Sequence, residues 1–211
     1  MPTKTDRRTT ILAAAASCFA RYGYAKTTLD DIGAAVRLNK ASLYYYFPNK
    51  DELFMQVVLG ASAAFMQALA ERVRELPTAT EQVREYLVER LRYYNQVLDQ
   101  HQLTSAALLV LEPRFDTLYA EVLEREVAFL AELLTPLVAG NGPLNLTPAP
   151  TPPRPDPRHL ARLLLSTADA LKHEAVRAAD PAAGRPDFRA AEADTRLLTD
   201  LLLAGLAART T

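Results

Sequence analysis

Two stretches decide the fold of this chain: Thr27-Thr28-Leu29-Asp30-Asp31-Ile32, and Asn39-Lys40-Ala41-Ser42-Leu43-Tyr44-Tyr45-Tyr46-Phe47-Pro48-Asn49-Lys50. Thr28 is a good N-cap, and Asp30 and Asp31 stand at the positive end of the helix it would open. Leu29, Ile32 and Val36 give that short helix an inward face. Asn39 is a second capping residue, ahead of a helix over Lys40–Tyr46 that Pro48 closes. Upstream, a helix from about Asp6 to Tyr22 sets Ile11, Ala15, Cys18, Phe19 and Tyr22 on one face, with Gly23 free to take the left-handed stop. Helix, tight turn, short helix, turn, short helix is the helix-turn-helix plan, whose last helix enters the DNA major groove.

The two strings closely resemble the TetR family of transcriptional regulators. The shared features are the paired threonines, Ile32 at the next core position, a recognition helix of small residues, Leu43-Tyr44 with Tyr46-Phe47, and Lys50 opening the fourth helix. The resemblance covers about residues 8–58; the rest of the chain agrees only in helix number, length and order. It implies an all-α protein of about nine helices. Residues 1–50 would form a three-helix DNA-binding domain, and residues 51–211 a six-helix domain for ligand binding and dimerisation. The expected DNA contacts are Thr28, Arg37, Asn39, Lys40, Ala41, Ser42, Tyr44, Tyr45, Tyr46 and Lys50.

Six of these contacts also have a physical reason in their chemistry. The hydroxyl and backbone of Thr28, and Lys50 at a helix N-terminus, suit phosphate. Ala41 and Ser42 are small enough to let the helix sit deep, and Ser42 has a hydroxyl for a base edge. Tyr44 and Tyr45 carry hydroxyls to phosphate and rings to thymine methyls, whereas Leu43 and Phe47 belong to the core. Three adjacent tyrosines spread through about 200° of a helix, so at least one must face outward. One position departs from the family: a glycine is usual where this chain has Arg37. A left-handed residue other than glycine costs about 1 kcal/mol, so either the turn is altered or Arg37 takes the strain.

The charge distribution agrees. Residues 1–50 hold eight Lys or Arg against three Asp, a net +5, while the remainder nets −6 and the whole chain −1. A basic head on an acidic body suggests that the head alone meets a polyanion. The single cysteine, Cys18, excludes an internal disulfide and a cysteine-based zinc site. Lys4, Arg7 and Arg8 ahead of Ile11–Ala20 superficially copy a signal peptide, but the stretch is alanine-rich and runs straight into the motif. No membrane span is expected and the cytoplasm is the default.

Further along, helical stripes are expected over Lys50–Leu76, after Thr80, over Leu103–Leu111 before Pro113, over Phe115–Val138, over Pro157–Ala179 and over Asp187–Ala208. Eight of the 14 prolines lie between Pro136 and Pro157, marking an extended or disordered loop at about 139–157. In the resembled family the last two helices pair with their copies. Helices this rich in leucine are too apolar for one buried side, so Leu164, Leu171, Leu198, Leu201 and Leu202 are the expected homodimer contacts. The family's effector cavity would here be lined by Phe65, Tyr86, Tyr93, His101, Leu118, Tyr119, Val122 and Asp169, suiting a hydrophobic or aromatic small molecule. No cofactor is implied. The rival readings are an all-helical enzyme, for which Asp169 with His173 and Glu174 is the one metal-like grouping, and a helical adaptor that binds only protein.

Overall fold

The computed structural model describes residues 4–139, 155–179 and 186–208, which form helices joined by short turns, with no strand among them. The elements are α1 (Lys4–Lys26), α2 (Leu29–Val36), α3 (Lys40–Tyr46), α4 (Lys50–Arg74), α5 (Ala79–Gln100), α6 (Ser105–Ala139), α7 (Pro157–Ala178) and α8 (Arg189–Ala208). Most of the Pro-rich loop, residues 140–154, lies outside the described residues.

α1 is two helical segments joined at Gly23, whose backbone (φ 78°, ψ 163°) lies in a region open essentially to glycine. The Thr27 hydroxyl holds the corner, donating to the carbonyls of Gly23 (2.7 Å) and Cys18 (3.2 Å). Ile11, Ala15, Cys18 and Phe19 are buried as expected, but Tyr22 is 43% exposed. The aromatic that turns inward is Tyr24, beyond the corner, with ring centroids 6.3 Å from Phe19 and 4.8 Å from Phe54.

Two other boundaries differ from expectation. α5 is capped by Thr78 rather than Thr80: the Glu81 N–H donates to the Thr78 hydroxyl (3.2 Å), which donates to the Glu81 carboxylate (2.8 Å). The alternative cap two residues on lacks a partner carboxylate at the third position. Second, α6 runs unbroken from Ser105 to Ala139 where Pro113 suggested a stop. A proline costs a helix interior one hydrogen bond, about 3 kcal/mol. The buried residues on either side, Leu108, Leu111, Val122 and Val127 among them, offset that through about 1.5–3 kcal/mol per buried side chain.

The chain divides into two compact units. The first takes Met1–Phe65, Tyr94–Tyr119 and Ala179–Arg185, and its fully buried residues include Ile11, Phe19, Ile32, Leu43, Phe47 and Leu53. The second takes Met66–Tyr93, Ala120–Ala178 and Pro186–Thr211, built on Val73, Tyr86, Leu87, Leu130, Leu134 and Leu165. These units therefore cut the chain differently from the boundary at residue 50, because α4, α5 and α6 each contribute to both. α4 is long and apolar enough to cross a bilayer by length and composition. Its apolar side is nevertheless committed inside the protein, with Leu53, Phe54, Met55, Val58, Leu69 and Val73 buried.

Candidate nucleic-acid interface

The short helices α2 and α3 are set by their caps and by a few buried anchors. At Thr28 the capping box is complete. The Asp31 N–H donates to the Thr28 hydroxyl (3.2 Å), and the Thr28 backbone N–H donates to the Asp31 carboxylate (2.9 Å). The Thr28 hydroxyl also donates to that carboxylate at 2.6 Å, and these bonds hold the Asp31 carboxyl below the usual range. α2 ends on Arg37 in the left-handed conformation (φ 55°, ψ 41°), with the Arg37 N–H toward the carbonyls of Gly33 and Ala34. The left-handed turn is thus kept, with an arginine in it. Gly33 makes this possible: a Cβ there would stand 2.6 Å from the Leu38 carbonyl oxygen, whose own N–H donates to the Gly33 carbonyl at 2.9 Å.

α3 begins at Asn39, whose side-chain oxygen accepts from the Ser42 N–H at 2.8 Å. Leu43 and Phe47, both fully buried, pin it to the first unit's core. That leaves Ala41, Tyr44 and Tyr45 outside and Ser42 and Tyr46 half-buried. Tyr44 is 47% and Tyr45 69% exposed, so the expected outward tyrosine is two, and Tyr46 closes edge-on against Tyr45 at 5.1 Å. Lys40 is exposed, 3.4 Å from the Asp30 carboxylate. Lys50, expected at a DNA phosphate, also has partners within the protein. It donates to the carbonyls of Tyr24 (3.0 Å) and Ala25 (3.4 Å) and lies 4.4 Å from the Tyr24 ring centre. Lys50 thereby fastens the end of α1 to the start of α4. The Tyr24 hydroxyl reinforces this by donating to Asp51 at 2.6 Å, and burial together with that bond pushes the phenol up.

The eight effector candidates divide evenly between the units: Phe65, His101, Leu118 and Tyr119 in the first, Tyr86, Tyr93, Val122 and Asp169 in the second. His101 is buried with its ring edge-on to Phe54 (5.2 Å), and its carbonyl accepts the Tyr24 N–H at 2.8 Å. Burial lowers its basicity, opposed by a hydrogen bond to the Phe19 carbonyl. In the second unit Tyr86 and Asp169 are joined by two residues that sequence reasoning missed. Arg90 donates to Glu126 at 2.9 Å and to both Asp169 oxygens at 2.8 and 3.1 Å. The Tyr86 hydroxyl donates to Glu126 at 3.1 Å, and Lys172 lies 3.2 Å from Asp169. Although burial pushes the Asp169 carboxyl up, Arg90 and Lys172 hold it well below the usual carboxylate range. The signal for this network was legible: Arg90 interrupts an otherwise apolar stripe, and Glu126 falls one turn after Val122.

The five leucines expected at the dimer contact all border one apolar groove of about 410 Å³ on α7 and α8. Leu198 and Leu201 are 42% and 61% exposed, Leu171 and Leu202 are half-buried, and Leu164 forms the floor at 6%.

Residues 11–57 match the sequence model of the bacterial regulatory proteins, tetR family. The biofilm operon icaADBC HTH-type negative transcriptional regulator IcaR of Staphylococcus epidermidis is 46% identical over 48 residues, 23% of this chain and 26% of that protein. The HTH-type transcriptional repressor NicS of Pseudomonas putida is 32% identical over 92 residues, 43% of each chain. The chain therefore spans less than half the length of these relatives. Likeness along nearly the whole chain is one of fold. A transcriptional regulator from Cytophaga hutchinsonii is 20% identical with a TM-score of 0.64, covering 94% of this chain and 95% of that one. FadR of Thermus thermophilus, solved with lauroyl-CoA, is 20% identical with a TM-score of 0.63, covering 93% of each.

Proposed function

We propose that this chain, which belongs to the TetR family of bacterial regulatory proteins through its residues 11–57, is a one-component transcriptional repressor. It binds operator DNA as a homodimer and is released by a small hydrophobic or aromatic effector. The observation that carries the reading is the outward face of α3. Ala41, Tyr44 and Tyr45 stand in solvent while Leu43 and Phe47 fix the helix from behind, and the left-handed Arg37 sets its entry. Small residues and paired hydroxyls on a rigidly anchored helix suit a major groove and its flanking phosphates.

Two supports concern the rest of the chain. The groove bordered by Leu198, Leu201 and Leu202 leaves apolar side chains exposed, and a twofold dimer that covers them would present two recognition helices to a pseudo-palindrome. A chain of the same fold binds lauroyl-CoA, which favours an apolar effector for the helical core here. Release requires only that the effector prefer the non-reading conformation; a 100-fold preference is about 2.7 kcal/mol. The metal-like grouping gives catalysis no support, since Asp169 at its centre is committed to Arg90 and Lys172, and the match over residues 11–57 favours DNA binding over a protein-only adaptor.

The test is selection of duplexes from a random-sequence pool by the full chain, followed by binding with Tyr44→Ala and Tyr45→Ala variants. The selected duplexes should share a palindromic consensus, and each variant should bind at least about tenfold more weakly, a loss of 1.4 kcal/mol. Recovery of no consensus would overturn the reading.

A further inference from the structure

The structure redistributes the positive charge of the first 50 residues. Of the cations expected at phosphate, Lys50 is partly committed inside the protein, to the carbonyls of Tyr24 and Ala25, while Lys40 stays at the surface 3.4 Å from the exposed Asp30 carboxylate. Arg8 is turned inward as well. Its guanidinium lies 4.3 Å from the Phe47 ring centre and donates to the Tyr46 carbonyl (2.9 Å) and to Gln56 (2.7 Å). Those bonds have a consequence for the residues beside it, because they fix the first turns of α1 against the end of α3.

Lys4 and Arg7 stand in those turns, both exposed. The Lys4 ammonium lies 4.8 Å from the centre of the Tyr45 ring, the most exposed aromatic face on α3. Arg7 follows three residues on and so shares that side of the helix, whereas Asp6 is rotated about 200° from Lys4. A lysine over a tyrosine face keeps its charge and remains able to donate outward. An arginine beside it presents a planar fork suited to phosphate oxygens.

We propose that Lys4 and Arg7 form a phosphate-binding extension of the α3 surface, gripping the DNA backbone next to the groove that α3 reads. The proposal rests on the reading of the chain as a duplex-DNA binder. It supplies affinity without sequence preference, since backbone contacts position the protein and base contacts specify the site.

The experiment measures equilibrium binding of the full chain to a duplex selected from a random-sequence pool, by fluorescence anisotropy across a salt series. The wild type is compared with Lys4→Ala/Arg7→Ala and with Arg21→Ala, which removes one charge about 25 Å further along α1. Each lost phosphate contact lowers the salt slope by about 0.9. The double variant should therefore lose a slope of about 2 per protomer and bind about tenfold or more weakly at low salt, equally on selected and unselected duplexes. Arg21→Ala should keep the wild-type slope, and melting temperatures should agree throughout. A wild-type slope in the double variant would overturn the proposal, as would the same loss per charge in Arg21→Ala, which would make the effect one of net charge. Failure of the wild type to bind any duplex would instead remove the DNA-binding reading itself.

Discussion

At Arg37 the backbone holds φ 55° on a residue with a full side chain. Glycine would relieve about 1–2 kcal/mol of left-handed strain but lose roughly 0.5–1 kcal/mol through its freer unfolded chain. Arg37→Gly should therefore gain about 0.5 kcal/mol in urea unfolding; a loss would mean that the arginine side chain makes a stabilising contact. Gly33 has no such latitude. A methyl 2.6 Å from the Leu38 carbonyl must push backbone, so Gly33→Ala should cost about 1–3 kcal/mol and shift α3. His101 sets a pH dependence. Its folded-state pKa is lowered, chiefly by burial, so the unfolded chain binds the proton more readily. The stability that His101 confers is complete above its ordinary value near 6.5 and is lost as pH falls through the lowered one. Urea midpoints at pH 7.5 and 5.5 should differ more for the wild type than for His101→Gln; equal differences would dismiss the histidine as the source.

At the scale of elements, α5, α6 and α7 are joined by a charged network rather than by apolar packing alone. Arg90 is 8% and Glu126 2% exposed, so removing either carboxylate that Arg90 meets leaves a buried guanidinium with one counter-charge in place of two. Asp169→Asn and Glu126→Gln should each cost about 3–5 kcal/mol by chemical denaturation. Replacing Arg90, Glu126 and Asp169 together by Met, Leu and Asn, which leaves neither a buried guanidinium nor a carboxylate deprived of it, should recover much of that loss. The low folded-state pKa of Asp169 places its own contribution above the ordinary carboxylate range, lost only as pH falls through and below it. The network also explains why helix pattern alone under-read this region. An apolar stripe assigns Arg90 a direction but not a partner, and its partners come from helices that are distant in sequence. α8 is the opposite case. Its leucines read correctly as two-sided, since Leu203 and Leu206 are buried while Leu197, Leu198 and Leu201 are exposed.

For the whole molecule, the groove on α7 and α8 carries the proposed dimer. Leu198→Glu with Leu202→Glu would bury unpaired charge in a paired chain and should yield monomers in sedimentation. Operator affinity should fall at the same time, because each half-site would be read singly. The wild-type dimer should require half-sites about 34–36 Å apart or a multiple of that. A double variant that stays dimeric would move the interface elsewhere.

What the sequence determined by itself was local: the caps at Thr28 and Asn39, the buried pair Leu43 and Phe47, the glycine corner, the apolar stripes and the basic head. These rest on interactions between near neighbours, so the order of residues is enough to read them. The tertiary structure alone decided which cations of the first 50 residues are outward. Lys50 turns to carbonyls 25 and 26 residues earlier in the chain, Arg8 to Gln56, and Lys4 to the ring of Tyr45. It also decided that α6 runs through Pro113, because burial on both sides outweighs one missing hydrogen bond. A long flexible side chain or a single weak point in a helix takes whichever neighbour folding brings near, and that neighbour is not written in the residues beside it.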